Sequence, residues 1–223
     1  MTRSTRLLLL VLVGAGSALP CIAAPSPAAE PAAQPQPRAT DAAPVLVTAQ
    51  QWRAMASDGA RLPVFAREQA RVQASVRAAM RAGVDVPVPR DPGGGASHEQ
   101  HKRNYQAIQA AGALYRLTGD RAYADYARDV LLAYARLYPT LGAHPAGRGQ
   151  VPGRLFWQSL NDSVWLVYAS QGYDAIRDTL SAQDRATIDR DVFARMAHFC
   201  ATKAPTTSTR STTTPPGRWP PSA

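Results

Sequence analysis

The chain has 223 residues, 45% of them hydrophobic, and a net charge of +9 at pH 7, which allows one domain of ordinary size with its own core. Nearly all of the positive charge is Arg, since only Lys102 and Lys203 are lysines. Between Val45 and Phe199 there are 19 basic and 14 acidic residues, a net of +5, with no basic run and no basic-aromatic ribbon. That balance excludes a nucleic-acid signature and suits an anionic ligand.

The N-terminus reads as a secretory signal over residues 1–23. Arg3 and Arg6 form a positive start, Leu7 to Val13 is an apolar run too short to span a bilayer, and small residues follow. Cleavage after Ala23 places the mature protein in the periplasm or outside the cell, with no membrane partner. Cys21 also stands where a lipid-attachment Cys would, although Pro20 fits that motif poorly. With Cys21 removed, only Cys200 remains, so the exported fold rests on its core and not on disulfides. Residues 24–44, Ala and Pro with little else, read as a disordered linker.

The folded region opens at Val45. Thr48 is placed to cap a short helix through Trp52 and Met55. A second helix is predicted from Val64 to Ala82, with Phe65, Val72, Val76 and Met80 at core spacing. Asp85 to Gly95 is a Pro/Gly loop, and helix resumes near His101. Thr118-Gly119-Asp120 supplies a C-cap glycine and an N-cap aspartate. The next helix carries Tyr123, Tyr126, Val130, Leu131, Tyr134 and Leu137 and stops before Pro139. A loop from Thr140 to Gly153 leads to a long helix from Leu155 to Leu180. Ser181 caps a last helix, Gln183 to Phe199. No strand pattern occurs, so residues 45–199 read as an all-α domain of about six antiparallel helices.

The stretch Arg154-Leu155-Phe156-Trp157-Gln158-Ser159-Leu160-Asn161 holds the most chemistry. As a helix it sets Arg154, Trp157, Gln158 and Asn161 on one face. Planar donors beside an aromatic ring suit an anionic sugar: the ring stacks on the sugar, the amides meet hydroxyls and the guanidinium forks onto a carboxylate. The same pattern also describes a buried helix whose Trp and Leu are core and whose amides bond neighbouring helices. His98-Glu99-Gln100-His101 lacks zinc-protease spacing and reads as a solvated helix start, with His98 or Lys102 in reach of an anionic sugar. Gly93-Gly94-Gly95 is a flexible lid or a plain loop. His144 and Arg148 line a substrate groove or are exposed filler. Neither a metal site nor a cofactor site is expected.

Residues 200–223 differ in kind: from Ala204 onward they are Thr, Ser, Pro and Arg, with Trp219 near the end. They read as a disordered, out-of-frame tail, or else as a secreted Ser/Thr/Pro stalk. Shifted by one base, the codons of Thr212 to Ser222 permit His-Asn-His-Ala-Thr-Trp-Ala-Val-Ala-Ala-Val.

Lys102-Arg103-Asn104-Tyr105, Thr118-Gly119-Asp120, Leu137-Tyr138-Pro139-Thr140-Leu141, Gly147-Arg148-Gly149-Gln150-Val151-Pro152-Gly153-Arg154 and Leu155-Phe156-Trp157-Gln158-Ser159-Leu160-Asn161-Asp162 occur in one order. Together they resemble the N-terminal domain of the alginate lyase superfamily, nearest the oligoalginate lyases of polysaccharide lyase family seventeen, which are heparinase II/III-like. The resemblance implies a partial (α/α) toroid of antiparallel helices, here without the C-terminal β-sheet domain of the family. It implies cleavage of a uronate polymer by β-elimination. In that family the Asn-His pair of a His-Asn-His-x-x-Trp motif neutralises the substrate carboxylate, and a later Tyr moves the proton. The motif matches only the shifted frame, at Thr213 and Thr214. The chain is therefore expected to be a truncated, inactive binding half, with no catalytic residue of its own. Arg154, Trp157, Gln158 and Asn161 are the expected contacts to an acidic polysaccharide, with Lys102, Asn104 and Arg148 further out. The alternative is a helical repeat scaffold for protein binding, but no self-similarity near a period of roughly 34 residues supports it.

Overall fold

The computed structural model describes residues 45–147 and 151–203. The signal, the linker, Arg148, and the tail from residue 204, including Thr213 and Thr214, lie outside the described residues. Among the described residues seven α-helices follow one another: α1 Ala49–Arg61, α2 Pro63–Ala82, α3 Ala96–Thr118, α4 Arg121–Leu137, α5 Ser159–Ile176, α6 Ala182–Ile188 and α7 Arg195–Lys203. A π turn, Asp189–Ala194, joins α6 to α7, and 3-10 turns end α4 and α5. No strand occurs among the described residues, so they form an all-α domain with antiparallel helix packing, consistent with a partial (α/α) toroid.

Local chemistry sets most boundaries. Thr48 and Gln51 form a reciprocal capping box at the start of α1. Pro63 opens α2, where its missing N–H costs nothing. Gly119 closes α3 at φ 73°, and the Asp120 carboxylate then accepts the Ala122 N–H to open α4. Ser181 caps α6 through the Asp184 N–H.

Three boundaries differ from the periodicity. α3 begins at Ala96, well before His101, because Asp91 accepts both the N–H and the hydroxyl of Ser97 at 2.8 Å and ties the loop to the first turn. Residues 154–158 are not helical: α5 begins only at Ser159. The buried Asp162 carboxylate reaches back to accept the N–H of Arg154 at 2.6 Å and of Phe156 at 3.0 Å, which holds that stretch as a bent strap. The last helix continues past Phe199 to Lys203.

The core is formed by α3, α4 and α5, with Leu155 and Phe156 of the strap and Ile188, Val192 and Met196 from the C-terminal helices. Of the four apolar residues expected to bury α2, only Val76 is fully inside; Val72 and Met80 pack partly, and Phe65 remains 42% exposed. Hydrophobic spacing identifies the inward side of a helix but not how completely a neighbour covers it.

α3 and α5 cross with their backbones in contact. A Cβ on Gly112 would lie 2.6 Å from the Gly172 carbonyl oxygen, and one on Gly172 would strike the Ile108 carbonyl. On an exposed helix Gly→Ala gains about 1 kcal/mol of propensity. Here Gly172→Ala is expected to destabilise the domain by about 2 kcal/mol or more, since the rigid backbones must separate. Urea unfolding followed by circular dichroism measures it; an unchanged or raised midpoint would show that the crossing is not set by these glycines.

Candidate functional site

The α3–α5 crossing turns one face of α3 toward the first turns of α5. His98, Lys102 and Tyr105 recur at helical spacing on that face. With Asn161 and Val164 of α5 and Phe156 of the strap they line a cleft of about 180 Å³. Its chemistry is mixed. Tyr105, whose ring lies 5.1 Å from that of Tyr168, supplies with Phe156 and Val164 an apolar and aromatic wall. Lys102 supplies a cation and Asn161 a planar amide. Lys102 is paired with Glu99 at 3.0 Å, a half-exposed contact between neighbours on one helix. Such pairs are worth little, so an incoming carboxylate can replace Glu99 at small cost.

The expected solvated start of α3 is not what forms: His98 and His101 are both buried. The strap explains it. Phe156 meets the His98 ring edge-on at 5.0 Å and the His101 ring at 5.8 Å, covering both. His101 Nδ1 lies 2.8 Å from the Tyr134 hydroxyl, and Asn104 Nδ2 donates to that same oxygen at 3.0 Å and to the Asp85 carbonyl at 2.7 Å. Burial lowers the pKa of His101 to about 4 and lowers those of His98 and His144, so three mutually close imidazoles stay neutral at pH 7. Burial raises Tyr134 and Tyr138 above the ordinary phenol range, which removes them as bases. Among the described residues no group of three or more His, Cys, Asp or Glu is arranged to hold a metal ion.

The expected contacts are divided by the fold. Lys102 and Asn161 come together in the cleft. Trp157 lies on the strap with its indole against Gly93, where a Cβ would sit 3.3 Å from Nε1, so the glycine loop is a seat for the ring. Gln158 follows it as the N-cap residue of α5. Arg154 does not share a helix face with them; its guanidinium lies over the rings of Tyr138 at 5.7 Å and Phe199 at 5.1 Å. Asn104 points the other way from Lys102, into the buried Tyr134 network. His144 is buried, its Nδ1 accepting the Ala146 N–H at 3.1 Å. Tyr105, Phe156 and Val164 were not singled out as site residues, although the His98–Lys102–Tyr105 spacing already placed Tyr105 on the cleft face.

No family model matches the chain. It is 64% identical over 189 residues, 85% of its own length, to a protein named alginate lyase from Stenotrophomonas maltophilia, of which this match spans 26%. It is 58% identical over 125 residues, 56% of its length, to an exo-oligoalginate lyase from Saccharophagus degradans, of which the match spans 17%. The chain thus spans about a quarter, or less, of the length of these relatives.

The buried imidazoles make stability depend on pH. A His whose folded pKa is depressed contributes stability that is full above its ordinary value of 6.5 and lost as pH falls toward about 4. For His101 that loss approaches about 3 kcal/mol. Asp162 acts in the opposite sense, because burial raises it to about 7 against the N–H groups it accepts, so its protonation favours the fold. His101→Gln isolates the first effect: relative to wild type the variant is expected to gain stability steadily between pH 7 and pH 5. Urea midpoints across that range give the difference, and parallel curves would contradict a neutral buried His101.

Proposed function

Because the chain belongs to the alginate lyase-like superfamily, we propose that it is the substrate-holding helical part of a polysaccharide lyase that cleaves alginate or a similar uronate polymer by β-elimination. The 64% identity to an alginate lyase over 189 residues carries this reading. The chemistry agrees with it. The C5 proton of a uronate is weakly acidic, and its removal places charge on the C6 carboxylate; donors aimed at that carboxylate stabilise the charge. In the cleft, Lys102 meets the carboxylate, Asn161 a ring hydroxyl, and Tyr105 and Phe156 the apolar face of the sugar. Trp157 and Gln158 extend the surface toward the next sugar. Arg154 and Asn104 serve it from behind, the first by fixing the strap and the second by fixing α3.

The signal at residues 1–23 takes the protein to the periplasm or beyond, where polymer is met. The chain alone is inactive in this reading, since the carboxylate-neutralising Asn-His pair and the proton-moving Tyr that the resemblance implies are not among its described residues. Calorimetry with a tetrameric uronate is expected to give millimolar affinity, about 4 kcal/mol, weakening with added salt. Lys102→Ala with Asn161→Ala is expected to remove the cleft's share of the heat while the circular dichroism spectrum stays unchanged. Ultraviolet absorbance of new double bonds is expected to match the buffer blank. Undiminished binding by the double variant would place the sugar elsewhere, and absorbance lost on His98→Ala would show that the cleft itself catalyses.

A further inference from the structure

The positive charge of the domain is unevenly placed. Over residues 45–82 six arginines, 53, 61, 67, 71, 77 and 81, face only Asp58 and Glu68, so this hairpin holds +4 of the +5 counted between Val45 and Phe199. At roughly 100° per residue, Arg67, Arg71, Arg77 and Arg81 fall within about 120° of the α2 surface, away from buried Val76.

Beside that ridge, between α2 and α3, runs a groove of about 750 Å³. That volume is within the ~300–1,000 Å³ typical of small-ligand sites. Its residues on α3 include Gln100, Arg103, Asn104 and Ala107, turned roughly 100° or more from His98, Lys102 and Tyr105, and it shares no lining residue with the cleft. The groove offers two guanidinium groups, from Arg71 and Arg103, among neutral hydrogen-bonding groups of Ser75, Gln106 and Tyr126. The Arg103 guanidinium is held by the neutral Gln100 amide oxygen, at 3.1 and 2.6 Å, and not by a carboxylate. Arg71 is engaged by Glu68 in an exposed pair between neighbours on one helix, which a ligand carboxylate displaces at small cost. Several of the lining residues are alanines, which leave room for a sugar ring. Asp85 on the wall accepts from sugar hydroxyls.

We infer that the α2–α3 groove is a second, non-catalytic binding site for an acidic oligosaccharide, holding a uronate chain by Arg71 and Arg103 while the cleft between α3 and α5 holds another segment. The inference rests on the proposed reading that the chain handles a uronate polymer. Two sites on one domain raise the local concentration of polymer at the cleft without any new contact there.

Amide chemical shifts of the isotope-labelled 223-residue chain, titrated with a tetrameric uronate, test it. Shifts are expected on α2 between residues 71 and 82 as well as on α5 between 160 and 164. Arg71→Gln with Arg103→Gln is expected to weaken the α2 response about tenfold, as loss of charged hydrogen bonds does, and to leave the α5 response intact. Lys102→Ala is expected to do the reverse. Shifts confined to α5 overturn the inference and leave the proposed function standing. Shifts confined to α2 support the groove and remove the cleft from the proposed function. A neutral gluco-oligosaccharide or a single-stranded DNA that moves the α2 amides as strongly overturns the assignment to an acidic sugar.

Discussion

The backbone contact between α3 and α5 at Gly112 and Gly172 is the constraint on which the rest depends. Two glycines facing each other let the helices approach until carbonyl and Cα touch. At that separation the N-terminal half of α3 lies beside the first turns of α5, and Lys102 and Tyr105 share a cleft with Asn161 and Val164. Wider spacing would leave these side chains on separate surfaces. The same approach commits one side of α3 to α5; α4 takes the side that carries Asn104, and against α2 the packing is looser and a groove remains.

A second element completes the cleft. The strap before α5 has no helical hydrogen bonds of its own, yet Leu155 and Phe156 are fully buried. Asp162 resolves this by accepting strap N–H groups with a carboxylate that is itself buried. Gly153 allows the approach, since a Cβ there would lie 2.6 Å from the Asp162 carboxylate. The strap then covers His98 and His101, and burial keeps both neutral. A neutral imidazole beside a lysine is a hydrogen-bonding surface without extra charge, which suits hydroxyls next to a carboxylate.

Elements defined by neighbours in sequence were legible. The Thr48 box, the Gly119–Asp120 junction and the Ser181 cap were each readable because the bonding partners lie within a few residues. Lys102 and Asn161, expected as sugar contacts from their residue types, line one cleft in the fold. Arg154 through Asn161 misled because their apolar and polar spacing fits 3.6 residues per turn, while the Asp162 carboxylate competes for the same N–H groups. The fate of His98 and His101 depended on Phe156, more than fifty residues on, and no local pattern reports that. Asn104 was separable from Lys102 in principle, since two residues on a helix turn about 200°. The exposed side of α2, with Phe65 on it, depends on what covers it, which spacing does not encode.

The central claim is that the face made by α3 and the start of α5 holds an acidic sugar. Intermolecular nuclear Overhauser effects between a tetrameric uronate and the ring protons of Tyr105 and Trp157 test it most directly, because they read proximity and not a change in stability. The account predicts cross-peaks from sugar ring protons to Tyr105 and Trp157, lost on Lys102→Ala. Bound oligosaccharide with cross-peaks only to residues outside this face, or Tyr105 cross-peaks that persist undiminished in Lys102→Ala, would contradict it.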